Sequence, residues 1–152
     1  MTRRQLLSVA GALCASRLAA WATPPGTLMT ESQLLARRRA FEAARRMAAA
    51  GWKIRDGLLH ATLGAGAEKA VGVHLLAGVQ YLFLVAWRPF GAEMGFQLLD
   101  DEGQQVAASF AGEESRLLGI LHTPTASQRG FLHCQLPTLS PTGDAALLYV
   151  YR

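Results

Sequence analysis

The chain has 152 residues, 51% of them hydrophobic, with 15 basic side chains, 11 acidic ones and two cysteines. Three arginines and no acid precede residue 23, so the remainder carries 12 basic against 11 acidic residues and a net charge of about +1. That near-neutral remainder excludes an electrostatic case for nucleic acid or for a membrane surface as the partner.

Residues 1–22 have the three parts of an export signal: Arg3 and Arg4 as a positive start, a mildly apolar run from Leu6 to Ser16, and the small residues Ala20 and Ala22 around Trp21 as a cleavage site. The apolar run is too short to span a bilayer, which takes about 20 residues. Thr2-Arg3-Arg4-Gln5-Leu6-Leu7 resembles the twin-arginine signal, although Leu6 replaces the usual Phe and Ser8 the frequent Lys. The weak apolar run and Arg17 near the cleavage site favour that route over general secretion. Cys14 is not a lipidation site on this reading, because Leu13 stands where a small residue is needed. The expected location is therefore periplasmic or secreted, with no stable membrane insertion once the signal is removed. The one remaining cysteine, Cys134, lacks an internal disulfide partner. It alternates with Leu132 and Leu136, which predicts a small buried hydrophobe rather than a nucleophile.

Residues 23–29, with Pro24, Pro25 and Gly26, predict a flexible tether. Residues 30–51 predict an amphipathic helix: Thr30 caps it, Gln33 completes a capping box, and Gly51 stops it. Leu34, Ala40, Phe41, Ala44, Met47 and Ala48 share one apolar face, and Leu34 and Phe41 are the expected anchors. Arg38, Arg39, Glu42, Arg45 and Arg46 take the other side as a solvated face, with Arg37 inside the apolar arc where its stem can snorkel.

From residue 52 to 152 the period becomes 2, which predicts one β domain. "WKIRDGLLHATL" predicts a hairpin turning at Asp56-Gly57. "KAVGVHLL" alternates, an Ala-Gly turn follows, and "QYLFLVAW" is apolar on both faces, as a central strand between two layers would be. Further strands are expected at 94–99, 104–110, 116–122, 130–136 and 145–151. Short strands broken by Gly, Pro and Asp predict an antiparallel, jelly-roll-like β-sandwich preceded by a single helix. Asp100-Asp101-Glu102-Gly103 lies between Met94, Phe96, Leu98 and Val106, Ala108, Phe110, which are expected to face the core from either side. It is a turn on this reading, because calcium needs six to eight oxygens from several segments.

The order of these elements resembles the bacterial pre-peptidase C-terminal domain between Gly64 and Tyr151. "VGVHLLAGVQYLFLVA", "FQLLDDEGQQVAAS", "ILHTPTASQRGFLHCQLP" and "AALLYVYR" are similar to its strands and turns, and "AAAGWKIRDGLLHATLGAG" to the lead-in of small stand-alone exported members. The resemblance implies a jelly-roll sandwich with a non-catalytic role and no active site. "RPFGAEMG" stands where many members have an acidic stretch associated with a cation site.

No catalytic motif is present: none of Ser32, Ser109, Ser115, Ser127 and Ser140 sits in a nucleophile elbow, and there is no metalloprotease motif or phosphate loop. His60, His74, His122 and His133 fall on predicted strands without ligand spacing. No cofactor and no catalytic or metal residue is expected. Two readings follow: an exported non-catalytic module that binds a protein, glycan or envelope component, or a small periplasmic hydrolase or metal protein whose site assembles only in three dimensions.

Overall fold

The computed structural model describes residues 28–55, 57–88, 93–112 and 117–152. The expected export signal, with Arg3, Arg4, Ala20 and Ala22, lies outside the described residues, as do Asp56 and residues 23–27 of the expected tether. The helix α1 spans Glu31–Ala49. Its capping box forms as its sequence requires: the Gln33 N–H donates to Thr30 Oγ1 at 3.2 Å, and the Thr30 N–H donates to Gln33 Oε1 at 3.0 Å. Beyond it Gly51 takes φ +92°, and the Trp52 N–H returns to the Met47 carbonyl at 3.1 Å. That return seats Trp52 beneath the helix.

Ten strands follow among the described residues: β1 (Lys53–Ile54), β2 (Leu59–Leu63), β3 (Glu68–Leu75), β4 (Tyr81–Arg88), β5 (Gly95–Leu99), β6 (Gln105–Ala108), β7 (Phe110–Ala111), β8 (Leu117–His122), β9 (Gln128–Gln135) and β10 (Gly143–Tyr151). They make two antiparallel sheets. In one, β10 carries both β1 and β2 on one side and is followed by β4, β8 and β7; the other runs β3-β9-β5-β6. The pairs β2–β10, β3–β9, β4–β8 and β5–β6 nest inside one another, so the chain is one long hairpin whose tip is the acidic turn. Rolling that hairpin adds the pairs β4–β10 and β5–β9, which is the jelly-roll pattern.

Three layers result. Tyr81, Phe83, Val85 and Trp87 of β4 face the second sheet, and they meet Phe96, Leu98, Leu132 and Cys134 in the main core. Leu82, Leu84 and Ala86 point the other way with Ala146, Leu148 and Val150, under α1. The doubly apolar β4 is thus sandwiched as its sequence predicts. No described helix is long and apolar enough to cross a membrane.

Three expectations are corrected. Leu34 is not an anchor of α1: it is 52% exposed, and Ala36, Ala40, Ala43 and Ala44 make the contact, with Phe41 and Met47 at its margin. Small side chains win because they let the helix lie close to the sheet. Second, 52–63 is not a hairpin, since β1 and β2 both pair with β10. Arg55 donates to the Tyr149 carbonyl and Leu59 pairs with Leu147, so four residue steps on the edge chain oppose two on β10. Gly57, at φ +100°, serves an edge bulge. A lone hairpin is marginal in water, whereas β10 offers a long apolar edge. Third, Val106, Ala108 and Phe110 are exposed, and Ala107 packs inward instead. The register shift at Leu98/Leu99 displaces the pattern by one residue, and the chain crosses from one sheet to the other between β6 and β7.

Candidate functional site

One face of the four-stranded sheet closes the core; no described element packs over the other. Strand alternation sends Glu68 (β3), Gln97 (β5), and Arg129, Phe131, His133 and Gln135 (β9) to that outer face. Register places His133 between Ala70 and Gln97. Its Nε2 lies 3.1 Å from Glu68 Oε2, and its Nδ1 lies 3.4 Å from Gln97 Nε2. One neutral tautomer satisfies both bonds, with Nε2–H donating to the carboxylate and Nδ1 accepting from the amide. The pairing crosses three strands and holds the imidazole still; the His133 side chain is 16% exposed and that of Glu68 54%.

Beside this chain runs a shallow groove of about 330 Å³ lined by Gln97, Gln105, His133 and Gln135 together with the apolar Met94, Phe96 and Ala108. Small residues create it: Ala108 stands opposite Gln97, and Gly95 opposite Gln135. A second concession to space lies further along β9. The Arg129 guanidinium stacks 4.9 Å over the Phe131 ring, and a Cβ at the facing Gly72 would stand 3.3 Å from Arg129 Nη2. Side-chain amides both donate and accept, as hydroxyls do, so this face can hydrogen-bond a neutral polyhydroxylated surface.

The groups singled out by sequence fall apart in space. His133 belongs to the outer-face chain; His74 sits at the β3 edge. His60 opposes Ala146 on the helix side of its sheet, and His122 opposes Tyr81 at the end of β8. Among the described residues the buried Nε2 atoms of His60 and His122 have no hydrogen-bond partner, and burial lowers the pKa of His122. Among the described residues no three His, Cys, Asp or Glu side chains converge as metal ligands. Cys134 is fully buried between Leu132 and Leu136, and burial pushes its thiol up, away from the reactive thiolate.

The acidic stretch is a turn. Gly103 takes φ +79° and its N–H donates to the Asp100 carbonyl at 3.1 Å. Asp100 Oδ1 accepts from the N–H groups of Glu102 at 3.0 Å and Gln104 at 2.7 Å. One oxygen of the carboxylate is thereby spent on its own backbone. Sequence reasoning passed over Glu68, Gln97, Gln105 and Gln135; their only signal is an outward position on alternating strands. No family model matches the chain, and no curated protein matches its sequence.

Proposed function

We propose that the chain is an exported, non-catalytic β-sandwich module of the bacterial envelope that binds a glycan across the outer face of its four-stranded sheet. The observation that carries this reading is the Glu68–His133–Gln97 chain beside the amide-lined groove. Those groups are fixed before a ligand arrives, which lowers the ordering cost of binding. The face is polar with one stacked aromatic, a composition suited to hydroxyls rather than to an apolar protein contact. The resemblance to the pre-peptidase C-terminal domain supports a binding role, and the Arg3-Arg4 signal supports export by the twin-arginine route to the periplasm or beyond. Among the described residues no observation favours the alternative of a small hydrolase or metal protein.

Two measurements test the reading. Calorimetric titration of soluble neutral oligosaccharides and solubilised envelope glycan into the protein should show binding that His133→Ala and Gln97→Ala each weaken about tenfold, the worth of one lost hydrogen bond in a dry contact. Binding unaffected by either change, or capture of a protein alone, refutes the glycan assignment. Separately, replacing Arg3 and Arg4 together by Lys should abolish export; undiminished periplasmic protein points to the general secretory route.

A further inference from the structure

A second concavity lies at the open edge of the sandwich, away from the outer face. It is a cleft of about 250 Å³ between β10 with its edge chain on one side and β3 on the other. Its origin is the edge bulge. Between the Arg55–Tyr149 hydrogen bond and the Leu59–Leu147 pair, Gly57 at φ +100° stands at a gap that opens toward the interior. Bulges of this kind re-aim side chains and recur beside binding sites.

The lining has two chemical zones. Leu59, Val71, Val73 and Leu147 make an apolar floor drawn from both sheets. Tyr149 forms a wall, backed by Phe83 at 5.2 Å and Tyr81 at 6.1 Å between ring centroids. At the mouth stands Arg55. Its N–H donates to the Tyr149 carbonyl, one step beyond the Ile54–Val150 pair, so Arg55 and Tyr149 occupy facing positions on neighbouring strands and their side chains share the cleft face. Among the described residues Arg55 forms no ion pair, and the Tyr149 hydroxyl has no hydrogen-bond partner, whereas the Tyr81 hydroxyl is taken by the Leu76 N–H at 2.9 Å. Burial raises the Tyr149 pKa, against the opposing charge of Arg55, so the phenol stays protonated and able to donate.

We propose that this cleft binds a small monocarboxylate with an apolar body of about one ring, the acid group taken by the Arg55 guanidinium and the Tyr149 hydroxyl and the body laid on the Leu59, Val71, Val73 and Leu147 floor. Size sets the body: an apolar cavity of about 150 Å³ holds benzene, so the larger volume here leaves room for a short acid arm. Charge sets the head, because a guanidinium matches the two oxygens of a carboxylate. This inference does not rest on the glycan reading, which uses the opposite face of the second sheet.

The test is an NMR titration of the full chain with 3-phenylpropionate and, separately, with its neutral amide. The acid should produce saturable shifts at the amides of Gly57, Val73 and Tyr149 and bind about tenfold or more tightly than the amide, as one charge-assisted contact provides. Arg55→Gln should erase that preference, weakening the acid about tenfold while leaving the amide unchanged; the side chain is exposed, and a retained spectrum shows that the fold persists. Equal affinity for acid and amide, shifts that map elsewhere, or no saturable shift overturns the proposal.

Discussion

The close seating of α1 makes a prediction whose sign is informative. Ala40 is 0% exposed and packs in the layer that contains Leu84, Ala146 and Leu148, flanked on the helix by Ala36, Ala43 and Ala44. Replacing Ala40 by Leu changes helix propensity by only about 0.2 kcal/mol, so the effect reports the spacing between layers. Adding three carbons where the helix already touches the sheet forces the layers apart and costs about 1–3 kcal/mol. At about 4 °C per kcal/mol for a domain of this size, the melting temperature should fall by about 4–12 °C. Leu34→Ala is the control: at 52% exposure its loss should stay within about 0.5 kcal/mol. Thermal and urea unfolding of parent and both variants measure this directly. Were the interface loosely packed, the added leucine would bury new apolar surface and stabilise by about 1–2 kcal/mol instead. A neutral or stabilising Ala40→Leu would therefore refute the close contact, and a large loss in Leu34→Ala would restore leucine as the anchor.

The acidic turn should divide by position: Asp100→Ala loses two backbone hydrogen bonds and costs about 1 kcal/mol, Gly103→Val costs about 1–2 kcal/mol from its positive φ, and Asp101→Asn with Glu102→Gln stays within about 0.5 kcal/mol. Calcium should leave all four melting curves unmoved; a calcium-dependent rise in the parent that the double variant lacks would contradict the turn assignment. His122 should make the fold acid-sensitive. Its folded pKa lies below the ordinary 6.5, so the unfolded chain binds the proton first, and stability is full above that value and falls as pH drops through it. The difference in melting temperature between parent and His122→Phe, followed from pH 8 to pH 5, isolates this effect; a difference that does not change with pH would show that His122 is not the group responsible.

Much of the fold was legible in the sequence because local chemistry and global packing ask for the same residues. Thr30 and Gln33 can satisfy the helix start whatever surrounds them. "QYLFLVAW" is apolar at every position because both of its faces are covered. Asp100 and Gly103 carry their turn within the turn itself. The β5–β6 turn and the existence of the strands on either side of it follow from short connections and strand-length apolar runs.

What the sequence left undecided is the choice among partners that look alike along the chain. Asp56-Gly57 suits a hairpin and a bulge equally, because both need a residue with positive φ, and only the edge of β10, some 90 residues further on, selects the bulge. The docking face of α1 was read from its largest apolar residues, yet contact with a sheet is decided by closeness, which favours alanine. A one-residue shift at Leu98/Leu99 was enough to turn Val106 outward and Ala107 inward. The outer-face chain is the extreme case: Glu68 and His133 are 65 residues apart, and nothing in either neighbourhood marks them until strand register lays β3, β9 and β5 side by side. Local hydrogen bonding and side-chain period are properties of a few adjacent residues, so the sequence determines them alone. Register, layer spacing and the meeting of polar side chains across strands are set by packing the whole chain at once, and those belong to the tertiary structure.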